Sequence, residues 1–145
     1  MMIVQDLKIG YTVCTVTSFG RLTMPMYIAG ILNDGTIYLD FDNNEGDMWE
    51  VDIKDIAPVR ITEDILSDFG FKRELNTEMP TYKIPDSTIE SYIVATDNEC
   101  TSFWLTNACN GEYTDKSIGN KTFKYIHELQ EIFYQKFNKL LLINI

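Results

Sequence analysis

At 145 residues, with 45% hydrophobic and 23% charged residues, the chain fits one globular domain or two small modules and excludes disorder. The net charge of −10 is uneven: residues 34–68 hold eleven of the 22 acidic side chains but only Lys54 and Arg60, a local net of −9. Such a field repels nucleic-acid phosphates, so direct nucleic-acid binding is not expected, and it favours a solvated face, a docking surface for a basic protein, or a nucleic-acid mimic.

The start, "MMIVQDLKIG", lacks a basic region followed by an apolar stretch, so it does not read as a signal peptide. No apolar run approaches the roughly 18 residues of a spanning helix. Cys14, Cys100 and Cys109 make an odd count without a C-x-x-C pair, which suggests reduced thiols rather than a disulfide framework or a zinc site. A soluble cytoplasmic protein is the expectation.

Residues 1–60 read as a small β-barrel module, with an SH3-like barrel the expected form. "GYTVCTVTSF" and "MYIAGIL" are rich in β-branched and aromatic residues and flank a loop over residues 20–25. "NDG" at residues 33–35 signals a hairpin, because these residues tolerate positive φ. In "TIYLDFD", Ile37, Leu39 and Phe41 alternate with Tyr38, Asp40 and Asp42. In "MWEVDIKDI", Trp49, Val51 and Ile53 are expected to face inward and Glu50, Asp52 and Lys54 outward.

A linking helix follows over residues 61–71. Thr62 is its N-cap, Glu63 and Asp64 suit the first turn, and Gly70 can close the C-terminus in the left-handed conformation. Residues 72–145 form the last module. Residues 72–86 are polar, with Pro80 and Pro85, and read as an exposed connection. "TIESYIVAT" and "TSFWLTN" form a hairpin around a turn at residues 97–99, and residues 107–120 read as loop. The hairpin is expected to pack on a C-terminal amphipathic helix, whose stripe is Ile126, Leu129, Phe133, Phe137 and Leu140. The tail "LLLINI" is too apolar to leave in water and reads as a packed strand, which leaves pairing across a homo-oligomer open. The fold class is α+β throughout, with the modules sharing one compact unit.

The combination "LKIGYTV … YIAGI … DIAPVRITEDILSDFGF … KYIHELQEIFYQKF" resembles a group of small uncharacterised proteins of phages and conjugative elements of gut Bacteroidales. The matching residues are Pro58, Ile61, Thr62, Glu63, Gly70 and Phe71, then Tyr125, Ile126, His127, Leu129 and Gln130. The chain departs from that pattern in a long loop over residues 107–120. The resemblance implies a viral or mobile-element origin and a shared fold. It implies no activity, so no functional residue is carried over from it.

Motifs that carry chemistry are scarce. "DFDNNEG" starts like a calcium loop, but Glu45 stands where the sharp turn needs glycine and Val51 where a bidentate Glu is required, so no metal is expected. His127 is the sole histidine, no G-x-S-x-G is present, and both phosphate-binding glycine loops are missing. The expectation is a non-catalytic protein without cofactor. Its acidic docking surface for a basic protein would comprise Asp40, Asp42, Glu45, Asp47, Glu50 and Asp52.

The alternative is a small-ligand binder of nucleotide type that counters host defence. Two thin basic clusters could grip phosphates: Lys116, Lys121 and Lys124, and Arg60, Lys72 and Arg73. Trp104, Lys121, Lys124 and His127 are its candidate ligand residues, with an aromatic ring stacking on the base. Such a protein needs a concave pocket with Lys or Arg beside an aromatic ring. On the last helix Gln130 projects within about 40° of Ile126, and His127 lies on the shoulder of the stripe. Both read as structural polar groups. Gln130 is expected to pin the helix to the C-terminal strands, and His127 to make a bridging hydrogen bond.

Overall fold

A computed structural model describes residues 7–40, 48–75, 79–84, 91–109, 112–113 and 122–141, with residues 106–109 and 112–113 as backbone. These residues form an α+β protein with two antiparallel sheets and two α-helices. They divide into two compact units. The described residues up to Arg60 join Tyr125–Gln130 in the first, and those of Ile61–Lys124 join the described residues from Glu131 onward in the second.

The first unit is a five-stranded sheet of β1 (Thr12–Thr15), β2 (Met26–Ile31), β3 (Thr36–Asp40), β4 (Trp49–Asp52) and β5 (Ile56–Pro58). Its order is β4-β3-β2-β1-β5, with every pair antiparallel. Period-two alternation explains its buried face: Val13, Met26, Ile28, Ile37, Leu39 and Ile56 join Leu7 and Tyr11 in one apolar cluster. The β2–β3 turn forms as the "NDG" stretch predicts. Gly35 takes φ +93°, and Asp34 Oδ1 accepts from the Thr36 backbone N–H at 3.0 Å. A register shift between Ile28 and Gly30 bulges β2, where Gly30 lets the Tyr38 ring lie close against the backbone.

The predicted barrel is corrected in one respect: among the described residues the sheet is not closed. β4 and β5 are its two ends and are not neighbours in the strand order. Beyond β5 the chain meets the start of the last helix instead. Arg60 bridges Tyr125, and the Ile126 N–H donates to the Val59 carbonyl at 2.9 Å. A 3-10 turn (Ile53–Asp55) that the periodicity does not announce carries the chain from β4 to β5. Val51 and Ile53 pack against the core as predicted, but Trp49, at the sheet edge, is 44% exposed.

The second unit opens with α1 (Glu63–Asp68). Thr62 Oγ1 accepts from the Ile65 N–H at 3.2 Å, and Gly70 at φ +90° lets the Phe71 N–H reach the Leu66 carbonyl. The predicted hairpin exists as β8 (Ser91–Ala95) and β9 (Phe103–Cys109), but it is the middle of a six-stranded sheet. β7 (Thr81–Lys83) and β6 (Lys72–Arg73) extend it on one side. On the other, β11 (Thr122–Phe123) pairs with the first half of β9 and β10 (Glu112–Tyr113) with its end. Strands of two and three residues are too short to show a period, so the exposed connection and the loop of the sequence reading conceal them. Thr81, Tyr82 and Ile84 are buried.

The last helix, α2 (Ile126–Phe137), starts where the Glu128 carboxylate accepts from the Tyr125 N–H at 3.1 Å. Ile126, Leu129 and Phe133 are buried along the expected stripe, and Ile132 is buried beside it. The stripe stops early. Asn138 turns left-handed at φ +53°, after which Leu141 is buried and Leu140 exposed. The remaining tail, residues 142–145, lies outside the described residues.

Candidate functional site

Two surfaces hold concentrated chemistry, one in each unit. The first is the edge strand β4. Glu50 and Asp52 are exposed on it, opposite Tyr38 and Thr36 of β3. Met48 and Trp49 add exposed apolar area beside them. Asp52 also caps the 3-10 turn, its Oδ1 accepting from the Lys54 N–H at 3.0 Å. Asp34, at the neighbouring turn, is held below the usual carboxylate range by the Thr36 backbone N–H, which fixes its negative charge.

Asp40 departs from this face. Only 6% exposed, it stands opposite Tyr27, whose hydroxyl donates to Asp40 Oδ2 at 3.4 Å. It is therefore not part of the exposed acidic face, since alternation reports which face a residue takes and not whether that face is covered. Asp42, Glu45 and Asp47, together with the "DFDNNEG" loop from Phe41 on, lie outside the described residues.

The second surface is a cavity of about 520 Å³ in the second unit, lined by Ile61, Thr62, Glu63, Arg73, Pro80, Tyr82, Asn98, Glu99, Cys100 and Phe103. Its floor is apolar, with Ile61, Tyr82 and Phe103 buried. Arg73 stands at the hydroxyl edge of Tyr82: Nη1 donates to the phenol oxygen at 3.1 Å, and the guanidinium carbon is 5.3 Å from the ring centroid. Glu63 Oε1 lies 3.9 Å from Arg73 Nη1. Burial pushes the Tyr82 phenol and the Cys100 thiol up, only partly offset by Arg73, so both stay protonated near neutral pH.

Of these residues the sequence reading singled out only Arg73 for ligand binding. Tyr82 and Cys100 come to it through β7 and through the turn after β8, where Cys100 takes φ +57°. The flanking prolines 80 and 85 disguise β7 as a linker; Tyr82 between them was the available signal.

Of the ligand residues named from sequence, Trp104, Lys124 and His127 are among the described residues. Trp104 is half-buried in β9, and Lys124 is exposed beside β11; both belong to the second unit and neither lines the cavity. His127 belongs to the first unit, its ring 6.0 Å from Tyr125 and 6.4 Å from Tyr11. Lys121 and Lys116 lie outside the described residues.

Gln130 is fully buried. Its Oε1 accepts from the Thr12 N–H at 2.7 Å, and its Nε2 donates to the Gly10 carbonyl at 3.1 Å. Both partners are N-terminal backbone groups in the first unit, where the sequence reading looked to the C-terminal strands.

Cys14 is buried, its thiol donating weakly to the Ala57 carbonyl at 3.5 Å, and desolvation raises its pKa. No group of three His, Cys, Asp or Glu residues capable of holding a metal occurs among the described residues. No helix among them is long and apolar enough to cross a membrane. Comparison with family models, curated proteins and solved structures gives no match to the chain.

Proposed function

We propose that the protein is a non-catalytic accessory protein of a phage or mobile element that acts in the host cytoplasm by binding a basic protein along β4. The order β4-β3-β2-β1-β5, with a 3-10 turn leading into β5, supports an SH3-like reading of the first unit. The observation that carries the function is the character of β4. Among the described residues it is an end strand, whose exposed Glu50 and Asp52 follow the exposed Met48 and Trp49, within a segment of local net charge −9. An edge strand offers backbone hydrogen bonds to an incoming extended segment, and the carboxylates select lysine and arginine on that segment.

The test is affinity capture from host lysate with the wild type and with the double variant Glu50→Lys, Asp52→Lys, at low and high salt. A basic protein retained by the wild type at low salt, and lost on charge reversal and at high salt, supports the proposal. Retention indifferent to both changes overturns it.

The cavity of the second unit favours a second reading, small-ligand binding. It sets an arginine beside an aromatic ring over an apolar floor, as a ligand site requires.

A further inference from the structure

The cavity lining sets charges of opposite sign side by side above an apolar floor. Arg73 Nη1 and Glu63 Oε1 are 3.9 Å apart, at the outer limit of an ion pair, and their side chains are 43% and 67% exposed. A pair this long and wet contributes little to stability, so a ligand can part it at small cost. The guanidinium has five N–H donors, and its bond to the Tyr82 hydroxyl orients it while leaving others to face a carboxylate. Glu99, also in the lining, adds a second acidic residue.

We propose that the cavity binds a free α-amino acid with an apolar side chain. The carboxylate meets Arg73, the ammonium group meets Glu63 and Glu99, and the side chain lies on Ile61, Pro80 and Phe103. This rests on the ligand-binding reading of the cavity. An α-amino acid carries its two charges on one carbon, which matches a cation and an anion of the protein standing next to each other. A phosphate, with a charge of about −1.5 to −2, would face Glu63 and Glu99 with only Arg73 to offset them, which disfavours a nucleotide. Cys100 and Tyr82, both protonated, add hydrogen-bonding groups without adding charge.

The test is isothermal titration of the full chain with L-leucine and L-phenylalanine, alongside L-leucinamide, N-acetyl-L-leucine and guanosine monophosphate. Saturable binding of the two amino acids is expected, with affinity lower by about tenfold to a hundredfold for the amide and the N-acetyl form. Arg73→Gln and Glu63→Gln should each weaken L-leucine by a similar factor. Both side chains are exposed enough for the fold to tolerate the change, which circular dichroism checks. The modified ligands carry the test without any variant.

Binding of guanosine monophosphate in place of the amino acids overturns the amino-acid assignment and leaves ligand binding standing. Binding of none of the probes at millimolar concentration overturns both. Unchanged L-leucine affinity in the two variants overturns the placement of the charges.

Discussion

Replacing Gln130 by alanine removes one side chain and strands two backbone groups. The Thr12 N–H and the Gly10 carbonyl, 118 and 120 positions away in sequence, lose the amide that satisfies them. Thr12 is 1% exposed and Gly10 is buried, so water does not readily take over. Each buried group left unsatisfied costs about 1–3 kcal/mol, and the vacated volume adds to this, giving about 3–5 kcal/mol in all. Against a typical stability of about 5–15 kcal/mol this is a large fraction. For 145 residues the unfolding entropy gives about 3 °C per kcal/mol, hence a melting temperature lower by about 10–15 °C.

Gln130→Glu sharpens the test. Its ionised carboxylate can accept from Thr12 but cannot donate to Gly10, whereas the protonated acid can do both. Burial and the facing carbonyl raise its folded pKa, so stability is held at low pH and lost as pH rises through that value. Urea denaturation of the three proteins over a pH series is the assay. A loss below about 1 kcal/mol for Gln130→Ala, or a Glu variant whose deficit does not change with pH, refutes the reasoning.

Thr62→Ala removes the cap that accepts from Ile65 and should cost about 1 kcal/mol by urea melt, with Thr62→Ser restoring most of it. Gly35→Ala forces a Cβ into φ +93° and within 3.3 Å of Ile53 Cγ2, and should cost about 1–2 kcal/mol; unchanged stability would contradict the turn geometry. The carboxylate of Asp97 accepts from the Thr101 hydroxyl at 2.6 Å and backbone N–H at 3.1 Å, which lowers its pKa from 3.8. Its contribution is therefore present above pH 3.8 and lost as pH falls through the lower folded value. The stability difference between wild type and Asp97→Ala should shrink in that window, and a difference constant with pH would contradict the assignment.

The sequence was most legible where one residue type settles one conformation. "NDG" announced the β2–β3 turn, Thr62 and Gly70 bounded α1, and three-and-four spacing gave the buried stripe of α2. It was least legible where a strand lasts two or three residues. Tyr82 is buried in β7, yet between Pro80 and Pro85 it looked like part of a linker, and with it the cavity stayed hidden. Alternation placed Ile37 and Leu39 correctly but failed at Asp40, since period two reports which face a residue takes and not whether something covers that face. Gln130 stood out on the helical wheel, but its partners Gly10 and Thr12 depend on long-range packing that no local pattern encodes.

Docking of a basic protein on β4 is tested most directly by site-specific photo-crosslinking in host lysate. A crosslinker at position 50, on β4, is compared with one at position 18, exposed in the turn between β1 and β2 of the same unit. Docking predicts a crosslinked basic protein at position 50 alone, whose yield falls as salt shortens the screening length from about 10 Å at 0.1 M to about 3 Å at 1 M. Crosslinks of equal yield at both positions, or a yield at position 50 that salt leaves unchanged, would contradict it.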